Sequence, residues 1–156
     1  MESHKTSYTL FKFAPLGIGI IILTSAIISY FYPHLIIMNG EPMEKDLFIT
    51  LIFALIGIFF LILFFAIKDK FVWVKMGDQT IEINSGSIKE KVNWLDVESI
   101  SQIQFVSPPL YSIKLKGKET THWFNTSNHF MQAGGFTKDM SDMGSFIKKK
   151  KRELGI

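Results

Sequence analysis

The chain has 156 residues, of which 47% are hydrophobic, with no cysteine and a formal net charge of +3. Without cysteine, disulfides, thiolate catalysis and cysteine-based metal or iron–sulfur sites are excluded. Charge is unevenly spread: residues 1–67 carry three Lys against four acids, residues 68–156 thirteen Lys and one Arg against ten acids.

Residues 13–32 form a first charge-free run, FAPLGIGIIILTSAIISYFY. Pro15 near its start suits a first helical turn, which does not need that N–H. The aromatic cluster Tyr30, Phe31 and Tyr32 is the pattern of a helix entering the headgroup region, and Pro33 ends the run. Lys5 and Lys12 before an apolar core, with Thr24-Ser25-Ala26 as a small-residue step, also resemble a signal peptide. Cleavage there would leave a strongly apolar new terminus, so an uncleaved helix is the reading preferred. After a connector holding Glu41, Glu44, Lys45 and Asp46 comes Leu47–Ile67, a second run with no charge. At about 1.5 Å per residue it spans roughly 30 Å as a helix, the thickness of a bilayer core.

Two such helices predict a transmembrane hairpin. Ala14, Gly17, Thr24, Ser25 and Ser29 in the first helix, and Thr50, Ala54 and Gly57 in the second, form stripes of small residues through which membrane helices approach closely. An antiparallel pairing sets Ser25 at the depth of Ala54 and Ser29 at that of Thr50. Neither run holds an Asp, Glu, Lys, Arg or His, which removes the usual mark of an ion or proton path. Lys5, Lys12, Lys68, Lys70 and Lys75 flank the outer ends, against Lys45 alone in the connector. The positive-inside rule then predicts a two-pass protein of the cell (inner) membrane with both termini cytoplasmic. The expected division is 1–67, tail and hairpin, and 68–156, one small cytoplasmic domain set directly against the membrane surface.

From residue 71 the pattern turns to short alternating runs. Strands are expected over 71–76, Thr80–Asn84, 87–92, 99–106, 111–116 and 120–125, with turns at Gly77-Asp78, Ser85-Gly86 and Gly117-Lys118. After an irregular stretch with Gly134-Gly135, Thr137 is the expected N-cap of an amphipathic helix. Its apolar stripe is Phe136, Met140, Met143, Ile147 and Leu154, with Asp139 and Asp142 in its first turns.

The phrase IEINSGSIKEKVNWLDVESI, residues 81–100, resembles the bacterial pleckstrin-homology-like (PH-like) domain of small membrane proteins. The likeness lies in a strand, a Ser-Gly turn, a strand, and a Trp-x-Asp-Val step into the next strand. It implies an α+β membrane protein whose hairpin is followed by a small PH-like antiparallel β-barrel or sandwich closed by a C-terminal helix. It transfers a fold and no mechanism. Trp94 and Asp96 match the family's Trp-Asp step and are read as structural, Trp94 packing and Asp96 forming a turn.

Phosphoinositide-binding members cluster Lys and Arg around the first hairpin. Residues 75–79 here offer Lys75 and Asp78, so no specific phosphoinositide is expected. Lys114, Lys116 and Lys118, with Lys148, Lys149 and Arg152 on the outer face of the last helix, are candidate contacts for anionic lipid. Without an accompanying aromatic platform they do not suggest nucleic acid. His122 and His129 lack a third ligand at a suggestive spacing, and Asp139 with Asp142 reads as a dipole pair, so no metal is expected. Ser145 lacks a nucleophile-elbow pattern. Asn125-Thr126-Ser127 is a glycosylation sequon that a cytoplasmic domain would not use. No cofactor and no catalysis are expected. The anticipated task is presentation of a domain to a protein partner or a second copy, with sensing of an anionic membrane surface as the alternative.

Overall fold

The computed structural model describes residues 1–86 and 89–156. The chain divides into two compact units, Lys12–Lys68 and a second made of Met1–Phe11 with Asp69–Ile156. The first eleven residues thus group with the β-rich unit, and not with the hairpin as the sequence suggests.

The first unit is helical. Helix α1 runs Lys5–Phe31, starting eight residues before the apolar run, with Pro15 in its interior. His4 explains the early start: its carbonyl accepts the Tyr8 N–H (3.0 Å) and its Nδ1 the Ser7 N–H (3.2 Å). Beyond a 3₁₀ turn at Pro33–Leu35, the connector folds into a two-stranded hairpin, β1 (Ile37–Met38) and β2 (Glu41–Pro42). Asn39-Gly40 at its tip has positive φ at both residues, as a two-residue hairpin loop requires. Helix α2 occupies Leu47–Ile67. Asp46 caps it, its Oδ1 accepting from the N–H groups of Phe48 (2.7 Å) and Ile49 (3.2 Å). Both helices are long and apolar enough to cross a membrane. Outward residues such as Ile21 (67% exposed) and Phe48 (71%) present apolar surface that water would penalise, and with the β-rich unit they fit a small membrane protein.

The second unit holds β3 (Trp73–Met76), β4 (Thr80–Asn84), β5 (Lys89–Asn93), β6 (Val97–Ile103), β7 (Leu110–Leu115), β8 (Thr121–Asn125), β9 (Phe130–Ala133), β10 (Phe136–Asp139) and helix α3 (Asp142–Leu154). They form antiparallel sheets β3-β4-β5, β6-β7-β8 and β9-β10. Alternation sends Val74, Met76, Ile81 and Ile83 inward from the first sheet, and Ile100, Tyr111, Ile113, Leu115 and Phe124 inward from the second. Met143 and Ile147 of α3 close this core. The expected strand over 87–92 begins at Lys89, and its residues 87–88 lie outside the described residues.

Two expectations fail here. The sheets do not close into a barrel: the segment just before β3 meets β8 at an isolated bridge, Phe71 with Trp123. The last helix begins at Asp142, not after Thr137, with Ser141 as N-cap accepting the Gly144 N–H (3.0 Å). Gly134-Gly135 is a hairpin turn, both residues with positive φ, and it returns the chain as β10. Phe136 and Met140 therefore leave the helical stripe and stand exposed, while Thr137 and Asp139 are buried.

Candidate functional site

In the helical hairpin the small-residue face is partly where the sequence puts it. Ser29 is fully buried and its Oγ lies 2.9 Å from Thr50 Oγ1 in a hydrogen bond. Gly57 is buried against Leu23, whose Cγ would stand 2.6 Å from an added Cβ. Ala14, Ser25 and Ala54 are half-buried, and the Ser25 hydroxyl bonds back to the Ile21 carbonyl (3.0 Å). Gly17 is a correction: it is exposed, with nothing within 4 Å of its would-be Cβ. The contact uses Gly19, whose Cβ would meet Leu61 Cδ2 at 3.0 Å and the Gly57 carbonyl at 3.1 Å. The true face is Pro15, Gly19, Ala26 and Ser29, spaced four, seven and three, and Gly17 falls two residues out of phase.

The basic candidates are partly neutralised. Lys114 pairs with Glu98 (2.7 Å), Lys118 with Glu90, and Lys149 with Glu153 (3.8 Å). Lys116 and Lys148 are exposed, and Arg152 Nε donates to the Lys148 carbonyl (3.3 Å). Exposed pairs of this kind contribute little to stability, but each carboxylate offsets the positive charge its lysine could offer an anionic surface.

Trp94 is buried at the start of a 3₁₀ turn, Trp94–Asp96. Its indole donates to the Gly77 carbonyl (2.9 Å), and its ring stands edge-on to Phe146 of α3. Asp96 Oδ2 accepts the Asn93 N–H (3.3 Å), one half of a capping box.

Asp139 anchors the polar interior. Its carboxyl group, 2% exposed, accepts the Thr126 hydroxyl (2.7 Å) and the Ser141 N–H (2.8 Å). Burial raises the Tyr111 phenol well above its ordinary range, and the neighbouring Asp139, which also takes a hydrogen bond from it, adds to the rise. A Cβ on Gly144 would overlap the Asp139 carboxyl group, so a glycine is needed where α3 crosses it. Burial also lowers the pKa of His122, whose Nδ1 has no hydrogen-bond partner among the described residues. Among those residues no group of three His or acidic side chains is placed to hold a metal ion.

An aromatic surface patch escaped the sequence reading. Phe105, in the turn after β6, has φ +63° and is 69% exposed. Its ring centroid lies 5.1 Å from that of Phe136 on β10. Gly135 gives it room, since a Cβ there would sit 3.2 Å from Phe105 Cδ1. Met131, across the β9-β10 hairpin, is also exposed. A bulky side chain in the left-handed region costs about 1 kcal/mol or more, and at 69% exposure Phe105 regains little of that through burial. The available signal was Gly134-Gly135 between Phe130 and Phe136, a turn pattern flanked by aromatics.

No family model, no curated protein and no solved structure matches the chain.

Proposed function

We propose that the protein is a non-catalytic, membrane-anchored binding module. In this reading the hairpin crosses the cell membrane twice with both termini cytoplasmic, and the β-rich unit, PH-like in layout, is offered to a protein partner or a second copy. The observation that carries it is the exposed Phe105–Phe136 pair, with Met131 also exposed on the same β9–β10 hairpin as Phe136. Large apolar side chains grouped on a folded surface cost solubility unless something covers them, and aromatics dominate the energetics of protein interfaces. The PH-like layout draws on the strand order, the Trp94–Asp96 step and the closing helix. The orientation draws on the lysine asymmetry. Sensing of anionic lipid has less behind it, because three of its six candidate cations already face carboxylates.

Photo-crosslinking residues placed at Phe105 and Phe136 of the full chain in native membranes test the reading. A discrete crosslinked species, either one identified partner or the dimer, is expected at both positions and not at Lys91 on β5. Failure to crosslink to protein at either position would overturn it.

A further inference from the structure

The seam between β3 and β8 is filled from the opposite end of the sequence. Residues 1–4 run antiparallel to β3, with Glu2 opposite Lys75. The Met76 N–H donates to the Met1 carbonyl (2.7 Å), and the Ser3 N–H donates to the Val74 carbonyl (2.7 Å). The Val74 N–H donates to the Ser3 hydroxyl (2.8 Å), and the Trp73 indole to the Ser3 carbonyl (3.2 Å). On the other flank the His4 N–H donates to the Asn125 carbonyl of β8 (3.0 Å). Glu2 reaches Lys75 at 3.1 Å, both side chains about half exposed. Below this point the segment leading into β3 bonds β8 directly, Val72 N–H to the Trp123 carbonyl (2.8 Å) and Trp123 N–H to the Lys70 carbonyl (2.7 Å). Beyond that bridge residues 1–4 bond β3 on one side and, through His4, β8 on the other.

The character of the filling segment matters. Its hold is main-chain hydrogen bonding plus one buried hydroxyl; Met1 is 50% exposed and Glu2 points to solvent, so no apolar side chain pins it. Strand addition of this kind takes affinity from the backbone and specificity from alternate side chains. Here those are a small hydroxyl facing inward at Ser3 and an acid facing Lys75.

We propose that the β3–β8 seam is a strand-acceptor groove, filled in cis by residues 1–4, whose ligand in trans is an extended polypeptide segment carrying an acid followed by serine or threonine. It rests on the binding-module reading and adds a second recognition surface to the aromatic patch. The cis segment holds the groove by proximity, and a partner strand enters when that segment is released.

The test uses the full chain in detergent micelles and a fluorescent synthetic peptide of residues 1–7, MESHKTS. Ser3→Pro removes the donor to Val74 and the inward hydroxyl. The wild-type chain should leave the peptide unbound, whereas S3P should bind it at least tenfold more tightly than a scrambled peptide. Equal binding of peptide and scramble by S3P would overturn the proposal. In case S3P does not fold, hydrogen exchange on the wild-type chain decides: the Val74 and Met76 amides should be protected at least a hundredfold. Exchange of both at the unprotected rate would show the seam unfilled and overturn it. The crosslinking at Phe105 and Phe136 is independent of this outcome, so the two readings fail separately.

Discussion

In the Lys12–Lys68 unit, the two helices meet along Gly19, Ala26, Ser29 and Gly57, with one hydrogen bond between side chains, Ser29 to Thr50. In the β-rich unit, a buried carboxyl group gathers Thr126 after β8, Ser141 before α3 and Tyr111 of β7, and a strand from residues 1–4 completes the seam beside β3. The first unit rests on steric closeness between two continuous segments. The second depends on polar groups brought together from positions up to 121 residues apart, as in the His4–Asn125 bond and its neighbours. Substitutions should therefore act differently on the two. All three tryptophans, 73, 94 and 123, lie in the β-rich unit, so their fluorescence follows that unit alone while far-UV circular dichroism follows the helices.

The largest effect is expected at Asp139. Asp139→Ala strands the Thr126 hydroxyl and Ser141 N–H in a dry interior, at about 1–3 kcal/mol for each unsatisfied group. The tryptophan-detected denaturation midpoint should fall steeply with the helical signal largely kept, and Gly144→Ala should do the same by overlap. A mild shift in both would mean the network is dispensable. Gly57→Val comes next, about 1–3 kcal/mol through overpacking against Leu23, and should loosen the helix pair without moving the tryptophan transition. Gly17→Val serves as its control and should leave the pair intact, since nothing lies within 4 Å. Ser29→Ala should cost about 0.6 kcal/mol, the usual value of such a bond between membrane helices.

The smallest effect concerns pH. Burial holds His122 below its ordinary pKa, so the unfolded chain binds the proton more readily than the native one. That contribution is present above the unfolded value, near 6.5, and is lost as pH falls below it. The tryptophan-detected stability should decline in that window, and His122→Gln should flatten the decline. At the alkaline end the raised Tyr111 pKa works the other way: stability is full below about pH 10 and falls above it as the unfolded phenol ionises.

The same contrast explains what could be read in advance. The second helix was legible to the residue because length and the absence of charge are local properties, and Asp46 is a local cap. Strand β4 was legible from alternation between turn residues. The helix contact was half legible, since period alone did not choose between Gly17 and Gly19. Phe136 and Met140 fit a helical stripe by spacing, yet the buried Asp139 and the Gly134-Gly135 turn make Phe136–Asp139 a strand. The placement of residues 1–4 leaves no periodic trace, because hydrogen bonding of the main chain needs no particular side chain. For the same reason a fragment beginning at residue 68 lacks a strand of its own sheet, and binding measured on it would not represent the full chain.

The central claim is a β-rich unit held at a membrane by a two-pass hairpin, and the lack of cysteine makes it directly testable. Single cysteines at Glu44, in the connector, and at Lys91, on β5, are to be labelled with a membrane-impermeant maleimide in sealed vesicles of either orientation. The account predicts that Lys91→Cys reacts only from the cytoplasmic side and Glu44→Cys only from the opposite side. Labelling of both from one side would contradict it.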